Sequence, residues 1–203
     1  MSKNNCKNIV ICGLGGQGIM LLGKIMSNFY LKHNYEIKIL DIMGLGQRGG
    51  EVSCHLRYSD KPILSPLIGI GNADYIISLE LNETIRNISY LKKRGVVITS
   101  NFELTPSSVN IGLREDLDIN KLSLIKQYTN KFFVIDSEKK LLGKFSATQL
   151  NIVMLGFFTA YMKYNETHIM EELEHNLNSN VVLEITTNFN LGKNYFDNYE
   201  HSA

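Results

Sequence analysis

A glycine-rich turn near the N-terminus restricts this 203-residue chain more than any other feature. The segment GLGGQG occupies residues 13–18, after an apolar run at residues 8–12 and before apolar residues at helical spacing from Ile19 to Phe29. A strand, a GxGxxG turn and a helix in this order predict the start of a βαβ unit. Such glycines allow a tight bend, close approach of a ligand to the backbone and close helix–strand packing. The helix N-terminus can also bind an anion.

Strands and helices alternate along the chain after this turn. Further strands are predicted at residues 35–41, 52–58, 75–79, 96–99 and 132–135, and helices at residues 82–93 and 122–129. Gly95 stands where a glycine would end the helix over 82–93. From Ser146 onward the pattern is mostly helical, with Thr167 as a second helix cap. We therefore predict a single α/β domain over residues 1–203, a Rossmann-like, doubly wound and mostly parallel sheet with a helical C-terminal region at residues 146–203.

Composition excludes several classes of protein. With 21 Lys and Arg against 20 Asp and Glu, the net charge of +1 argues against a nucleic-acid-binding chain. No apolar run reaches the ~18 residues of a membrane span, and the polar N-terminus does not resemble a signal peptide, so we expect a cytoplasmic protein. The three cysteines, Cys6, Cys12 and Cys54, form no CxxC pair and are too few for an iron–sulfur cluster. His168 and His175 lack a third ligand at a typical spacing, so no zinc site is expected.

A second glycine-rich segment, GLGQRGG at residues 44–50, follows the second predicted strand. Arg48 in it has forked donors suited to phosphate or carboxylate, although an ion pair with Asp41 or Glu51 is the alternative. Asp41 stands where an acid would hold a ribose hydroxyl, so the pattern alone favours an NAD or FAD site. Two alternatives remain: the glycine turn serves only packing, or the site binds another anion. Two features count against a dinucleotide: Gln17 adds a polar side chain, and no second crossover helix follows Asp41.

Several segments in a fixed order resemble the gamma-type subunits of 2-oxoacid:ferredoxin oxidoreductases, in particular the small (beta) subunits of the indolepyruvate type. The resemblance runs through much of the chain and is far more specific than GxGxxG. The segments that carry it are GLGGQG at 13–18, GLGQRGGEVSCHLRY at 44–58, SPLI at 65–68, ADYIISLE at 73–80 and NIVMLG at 151–156.

The resemblance implies an enzyme that oxidatively decarboxylates a 2-oxoacid on thiamine diphosphate, forms an acyl-CoA and reduces ferredoxin. It places thiamine diphosphate and the [4Fe-4S] clusters in a large partner subunit, so this chain should be a required subunit that is inactive alone. No catalytic residue and no metal are expected in it, while CoA is a cosubstrate that could contact it. The residues implied to contact a cofactor or the partner are Gly13, Gly15, Gly16, Gln17, Gly18, Gln47, Arg48, Gly49 and Gly50.

Two other hypotheses for the function remain beside the one that the resemblance implies. One is a stand-alone NAD(P)- or FAD-dependent oxidoreductase, and the other is a non-enzymatic nucleotide-binding module. Among the remaining polar residues, Glu80 and Glu83 are expected at the start of a helix, where acids favour the helix dipole. Cys54 is expected in the core, and His55 on the opposite face of its strand, where it could approach the second glycine segment.

Overall fold

A computed structural model describes residues 6–44, 50–104, 120–137, 147–177 and 182–200 of the chain. Three of the predicted contact residues, Gln47, Arg48 and Gly49, lie outside the described residues, as does the predicted cap Ser146. The described part of the chain holds one six-stranded sheet in the order β2-β3-β1-β4-β5-β6. Its strands are β1 Lys7–Leu14, β2 Glu36–Met43, β3 Glu51–Ser59, β4 Ala73–Ser78, β5 Leu91–Ser100 and β6 Phe132–Ile135.

Six α-helices accompany this sheet within the described residues. They are α1 Ile19–Lys32, α2 Leu81–Asn87, α3 Lys121–Tyr128, α4 Ala147–Met162, α5 Glu166–Asn176 and α6 Val182–Glu200. None of the helices in these ranges is long and apolar enough to cross a membrane.

Strand β3 changes the arrangement expected for the first βαβ unit. β1 and β2 run in the same direction as predicted, but β3 lies between them and is antiparallel to both. The physical reason is the short connection over residues 44–50, which suits an antiparallel hairpin, whereas a parallel return needs a dozen or more residues. β4, β5 and β6 add to the other side of β1 in parallel.

The two faces of the sheet carry separate apolar clusters, which is the doubly wound arrangement predicted from the sequence. Ile9 and Ile11 face the side covered by α1, α4, α5 and α6. Val10 and Cys12 face the side covered by α2, α3 and the connection after β3. The alternation follows from the two-residue period of a strand. The predicted α/β, mostly parallel fold is confirmed, and the C-terminal helices share the core of the sheet.

Three local predictions were wrong. The helix predicted over 82–93 ends at Asn87 and is followed by one 3₁₀ turn, because Leu91 already begins β5 with its side chain buried. Gly95 therefore lies inside β5 rather than at a helix end, and its backbone packs closely against the side chain of Leu91. The cap of α5 is Asn165 and not Thr167 as predicted, because the side chain of Asn165 accepts a 3.1 Å hydrogen bond from the amide of Thr167.

Helices α4 and α6 cross in backbone contact at two glycines. A Cβ atom on Gly156 would lie 2.0 Å from the carbonyl oxygen of Phe189, and one on Gly192 would lie 2.0 Å from that of Val153. Each glycine thus faces the backbone of the other helix, and no side chain could move aside to make room. The two positions set the separation of the C-terminal helices.

Candidate functional site

The chain leaves β1 and β4 toward opposite faces of the sheet, which opens a crevice at the carboxyl ends of these neighbouring strands. α1 follows β1 on one face, and α2 follows β4 on the other. The amide of Leu79 donates a 2.9 Å hydrogen bond to the carbonyl oxygen of Cys12, which holds the two strand ends together. Open α/β sheets bind ligands at such a switch point. The predicted glycine turn lies at this crevice.

Gln17 closes the first glycine turn from inside. Its side chain is buried, and Oε1 accepts a 2.7 Å hydrogen bond from the amide of Leu14. The Gln17 amide donates back to the carbonyl oxygen of Leu14 at 3.1 Å. The polar side chain that counted against a dinucleotide therefore serves the loop itself and does not face a ligand.

Two of the predicted glycines are required by packing. A Cβ atom on Gly13 would lie 2.5 Å from Oε1 of Gln17 and 2.8 Å from a methyl group of Ile19. One on Gly18 would lie 2.2 Å from Nδ2 of Asn151, a buried residue of α4 whose Oδ1 has no hydrogen-bond partner among the described residues. Both glycines let elements of the fold approach each other closely.

Gly15 and Gly16 form the exposed tip of the turn. The amide of Gly15 donates a 2.9 Å hydrogen bond to the carbonyl oxygen of Gly50, which ties the first glycine segment to the end of the second. This contact follows from the pairing of β1 with β3, in which Leu14 faces Glu51. Gly16 has a φ of +94°, and a Cβ there would meet nothing within 4 Å. Of the predicted contact residues that the structure describes, Gly15, Gly16 and Gly50 lie where another molecule can reach them.

A pair of buried carboxylates forms the opposite side of the crevice, and the sequence reasoning missed their burial. Glu80 caps α2 as expected: its side chain accepts a 2.8 Å hydrogen bond from the amide of Glu83 and a 3.1 Å hydrogen bond from that of Leu104. Both glutamates are only 1% exposed. Burial raises the pKa of Glu80, against the lowering effect of its hydrogen bonds. The signal in the sequence was the apolar run before Glu80, which places it at a buried strand end.

Arg86 connects this acidic pair to the second glycine segment. Its guanidinium forms a close ion pair with the carboxylate of Glu83 and lies 3.7 Å from that of Glu51, the first residue of β3. Burial raises the pKa of Glu83, and the charge of Arg86 opposes that rise. The described part of the crevice thus carries three carboxylates against one guanidinium, so a phosphate there would need further cations.

The structure does not bring together the glycine turn and Asp41, which an NAD or FAD site would need. Asp41 pairs with Cys54 on β3, and Cys54 pairs with Ile11 of β1, so two strand spacings separate Asp41 from β1. Neighbouring strands lie about 4.8 Å apart, so Asp41 lies roughly 10 Å from β1. Along the strands it is level with Ile11, before the glycine turn begins. A cavity of about 280 Å³ lies beside Gly18 and Asn151.

The cysteines do not fit a shared iron–sulfur cluster. Cys12 and Cys54 are buried on opposite faces of the sheet, and Cys6 lies at the start of β1. Burial raises the pKa of Cys12 to about 12. Cys54 is a core residue, as expected.

His55 lies on the face of the sheet opposite Cys54, as predicted. The ring is fully buried on the face of α2, where Nδ1 accepts a 3.2 Å hydrogen bond from the amide of Ile68. It packs edge-on against Tyr90, with ring centroids 5.0 Å apart. Burial lowers the pKa of His55, so the ring is neutral and structural.

A sequence profile of the family described as pyruvate ferredoxin/flavodoxin oxidoreductase matches residues 8–193. The chain belongs to this family. It is a subunit of an oxidoreductase complex of the 2-oxoacid:ferredoxin type, which confirms the resemblance found in the glycine segments.

Relatives within the family are similar over most of their length. The indolepyruvate oxidoreductase subunit IorB of Pyrococcus horikoshii is 32% identical over 154 residues, which cover 75% of this chain and 76% of the relative. The subunit IorB of Archaeoglobus fulgidus is 27% identical over 178 residues, which cover 86% of this chain and 88% of the relative.

Solved structures share the fold at low sequence identity. The gamma subunit of a keto/oxoacid ferredoxin oxidoreductase from Geobacter sulfurreducens matches with a TM-score of 0.62 and 17% identity, over 94% of this chain and 98% of that one. A 2-oxoglutarate:ferredoxin oxidoreductase from Magnetococcus marinus, solved with 2-oxoglutarate, coenzyme A and succinyl-CoA bound, matches with a TM-score of 0.70 and 15% identity. The match covers 97% of this chain and 32% of that longer one.

Proposed function

We propose that this chain is the small, non-catalytic subunit of an indolepyruvate-type, or aryl-pyruvate-type, 2-oxoacid:ferredoxin oxidoreductase. The complete enzyme would convert a 2-oxoacid, CoA and two oxidised ferredoxins into an acyl-CoA, carbon dioxide, a proton and two reduced ferredoxins. The similarity to IorB subunits over three quarters of the chain supports the substrate class.

The observation that carries this proposal is the hydrogen bond between Gly15 and Gly50 at the switch point. It joins Gly50, the described end of the second glycine segment, to the exposed tip of the first segment, where Gly15 and Gly16 present backbone and no side chain. Such a surface lets the backbone of another subunit, or a flexible cosubstrate, come within contact distance. We therefore assign Gly15, Gly16 and Gly50 to contact with the large partner subunit at the site where CoA enters.

The side chains present support a division of labour between the subunits. Thiamine diphosphate supplies the electron sink for decarboxylation, and iron–sulfur clusters carry single electrons to ferredoxin. The thiols of Cys12 and Cys54 are separated by the sheet and cannot hold a cluster together. We therefore assign the cofactors to the large partner, and binding and orientation to this chain.

Arg48 and Gln47 are the proposed polar partners of CoA in the second glycine segment. The described crevice already carries Glu51, Glu80 and Glu83, so a CoA phosphate requires a cation beyond Arg86. Arg48 precedes Gly50 by two residues and has the forked donors that bind phosphate in pairs. Coenzyme A is bound in the Magnetococcus marinus enzyme, whose chain includes a region with this fold, so CoA is a ligand of an enzyme that contains the fold.

A matched pair of glycine substitutions tests the contact surface. Gly16→Ala adds a methyl group to the exposed tip, where nothing in the chain lies within 4 Å. Gly71→Ala is the control, since Gly71 also has a positive φ of +74° and an equally open Cβ position, but precedes β4 at the other end of the strand. Both variants should lose roughly 1–2 kcal/mol of stability from backbone strain.

The measurement is 2-oxoacid- and CoA-dependent reduction of a viologen dye after oxygen-free co-expression with the large subunit. We expect Gly16→Ala to lower activity or subunit association at least tenfold, and Gly71→Ala to leave both near the wild-type level. Equal behaviour of the two variants would contradict the contact surface. Wild-type chain that neither associates nor supports activity would contradict the subunit role. Micromolar binding of NAD or FAD by the chain alone would favour the stand-alone reading, which the position of Asp41 does not support.

A further inference from the structure

Two imidazole rings from distant parts of the sequence meet where the end of α1 passes the start of α5. His33 caps the C-terminus of α1, and His168 lies in the first turn of α5. Nε2 of His33 lies 3.3 Å from Nδ1 of His168, and the ring centroids are 5.1 Å apart. The contact joins residues 135 positions apart along the chain.

The ring of His33 is held in one tautomer. Its Nδ1 lies 2.7 Å from the carbonyl oxygen of Phe29, which can only accept a hydrogen bond, so Nδ1 carries the proton. Nε2 then presents a lone pair toward His168. The ring also packs against the ring of Phe29, with centroids 4.3 Å apart. Metal-binding histidines commonly show this arrangement, in which the second ring nitrogen donates to a backbone carbonyl.

The separation of the two nitrogens matches that of two ligands of one ion. Zinc–nitrogen bonds are about 2.0–2.1 Å long, and two such bonds at a tetrahedral angle place the nitrogens about 3.3–3.4 Å apart. The two nitrogens are already 3.3 Å apart. Without an ion, Nδ1 of His168 donates a hydrogen bond to Nε2 of His33, and a bound ion replaces this proton, which moves to Nε2 of His168 or to water. Both rings are accessible from solvent, so water can complete the coordination.

The neighbouring charges favour a cation. The ammonium of Lys32 lies 2.7 Å from the carboxylate of Glu172 and 3.5 Å from that of Glu171. One positive and two negative groups give these three side chains of α1 and α5 a net charge of −1. The positive charge of Lys32 is thus offset by the two carboxylates beside it.

We propose that His33 and His168 form a two-histidine clamp that binds a divalent transition-metal ion. Ions that prefer imidazole, such as Zn²⁺, Ni²⁺ and Co²⁺, are the expected occupants. The sequence predicted no zinc site, because His168 and His175 lacked a third ligand; the clamp uses a different pair, completed by water. The ion joins the far end of α1, the helix that begins at the glycine turn, to the C-terminal helices. This inference is independent of the proposed function.

The clamp is tested by titrating the tag-free, metal-stripped full chain with Co²⁺ or Zn²⁺, followed by calorimetry and by the visible absorption of bound Co²⁺. The test variants are His33→Gln and His168→Gln, and the control is His175→Gln, an exposed histidine of the same helix α5. We expect one ion per chain, a higher melting temperature with the ion, and affinity lowered by about tenfold or more in each test variant but not in the control. Far-UV circular dichroism without metal checks that all variants are folded.

Three outcomes would overturn the clamp. The first is no binding by the wild-type chain at millimolar metal. The second is equal affinity in wild type and both test variants, which would place the ion elsewhere. The third is an equal loss in the His175→Gln control, which would show nonspecific binding by surface histidines.

Discussion

The amide of Gly15 donates a 2.9 Å hydrogen bond to the carbonyl oxygen of Gly50, although 35 positions separate the two residues. The bond exists because β3 lies beside β1, so the end of the second glycine segment is delivered to the first. The first glycine motif and Gly50, the described end of the second, thus form one structural unit. Substitutions that disturb this unit should affect the partner contact more than the fold.

Gln17 is predicted to stabilise the first glycine turn through its buried acceptor. Gln17→Met keeps the side-chain size but leaves the amide of Leu14 without its 2.7 Å partner. We expect a loss of about 1–3 kcal/mol in the free energy of unfolding, measured by urea denaturation. Gln127→Met on the exposed surface of α3 is the control and should change stability by less than about 0.5 kcal/mol. Equal stability of the two variants would mean that the loop does not depend on this hydrogen bond.

Because α4 and α6 cross in backbone contact, replacing their glycines by alanine should lower the free energy of unfolding, although such a change usually raises it in a helix. At an open helical position, alanine stabilises by about 1 kcal/mol relative to glycine. At Gly156 and Gly192 the new methyl group would lie 2.0 Å from a backbone carbonyl oxygen, so the helices must separate. We expect each variant to lose about 1–3 kcal/mol. The double variant should lose less than the sum, since one separation accommodates both methyl groups; a stabilised single variant would contradict the crossing.

Arg86 and Glu83 are predicted to be energetically coupled. Arg86→Met leaves a carboxylate that is only 1% exposed without its close ion pair, and we expect a loss of about 1–3 kcal/mol at pH 7, moderated because Arg86 is half exposed. Removing the guanidinium also removes the effect that opposes the raised pKa of Glu83. The loss should therefore shrink as the pH falls and the carboxyl is protonated. The Glu83→Gln/Arg86→Met double variant should recover stability at pH 7, and simple additivity in this cycle would contradict the coupling.

The regular parts of the fold could be predicted because hydrophobic periodicity is local. The strand–turn–helix at residues 8–33 and the strand at 132–135 needed no knowledge of distant residues. The insertion of β3 between β1 and β2 could not be predicted in this way, because its alternation fits either neighbour. The helix over 82–93 was extended too far for a similar reason: Leu91 fits a helical stripe, and the pairing of β5 with β4 decides otherwise.

The candidate site was predictable as a pair of motifs but not as a geometry. Glycines at 13–18 and 44–50 were identified, yet only the structure separates those used for packing, such as Gly13 and Gly18, from the exposed tip. The burial of Glu80 depends on Leu104 and α2 together. The meeting of His33 with His168 depends on how α5 packs on α1, which no local pattern encodes.

The buried ring of His55 predicts a specific pH dependence of stability. Burial lowers its pKa in the folded chain, so below the unfolded-state pKa of about 6.5 the unfolded chain binds more protons than the folded one. Stability should therefore fall as the pH drops from 7 toward 5, by up to about 1.4 kcal/mol per pH unit for this one group. His55→Gln removes this part of the slope in urea denaturation, whereas the exposed His175→Gln does not. Parallel curves for wild type and His55→Gln would contradict the assignment.

The subunit role is tested most directly by recovering the tagged chain from its native extract without oxygen. The account predicts co-purification of a brown large subunit that contains iron and thiamine diphosphate, and viologen reduction that depends on an aryl 2-oxoacid and CoA. The Gly16→Ala chain should recover much less of this partner than the Gly71→Ala chain. A colourless chain recovered alone, or with a bound nucleotide in place of a partner, would contradict the account.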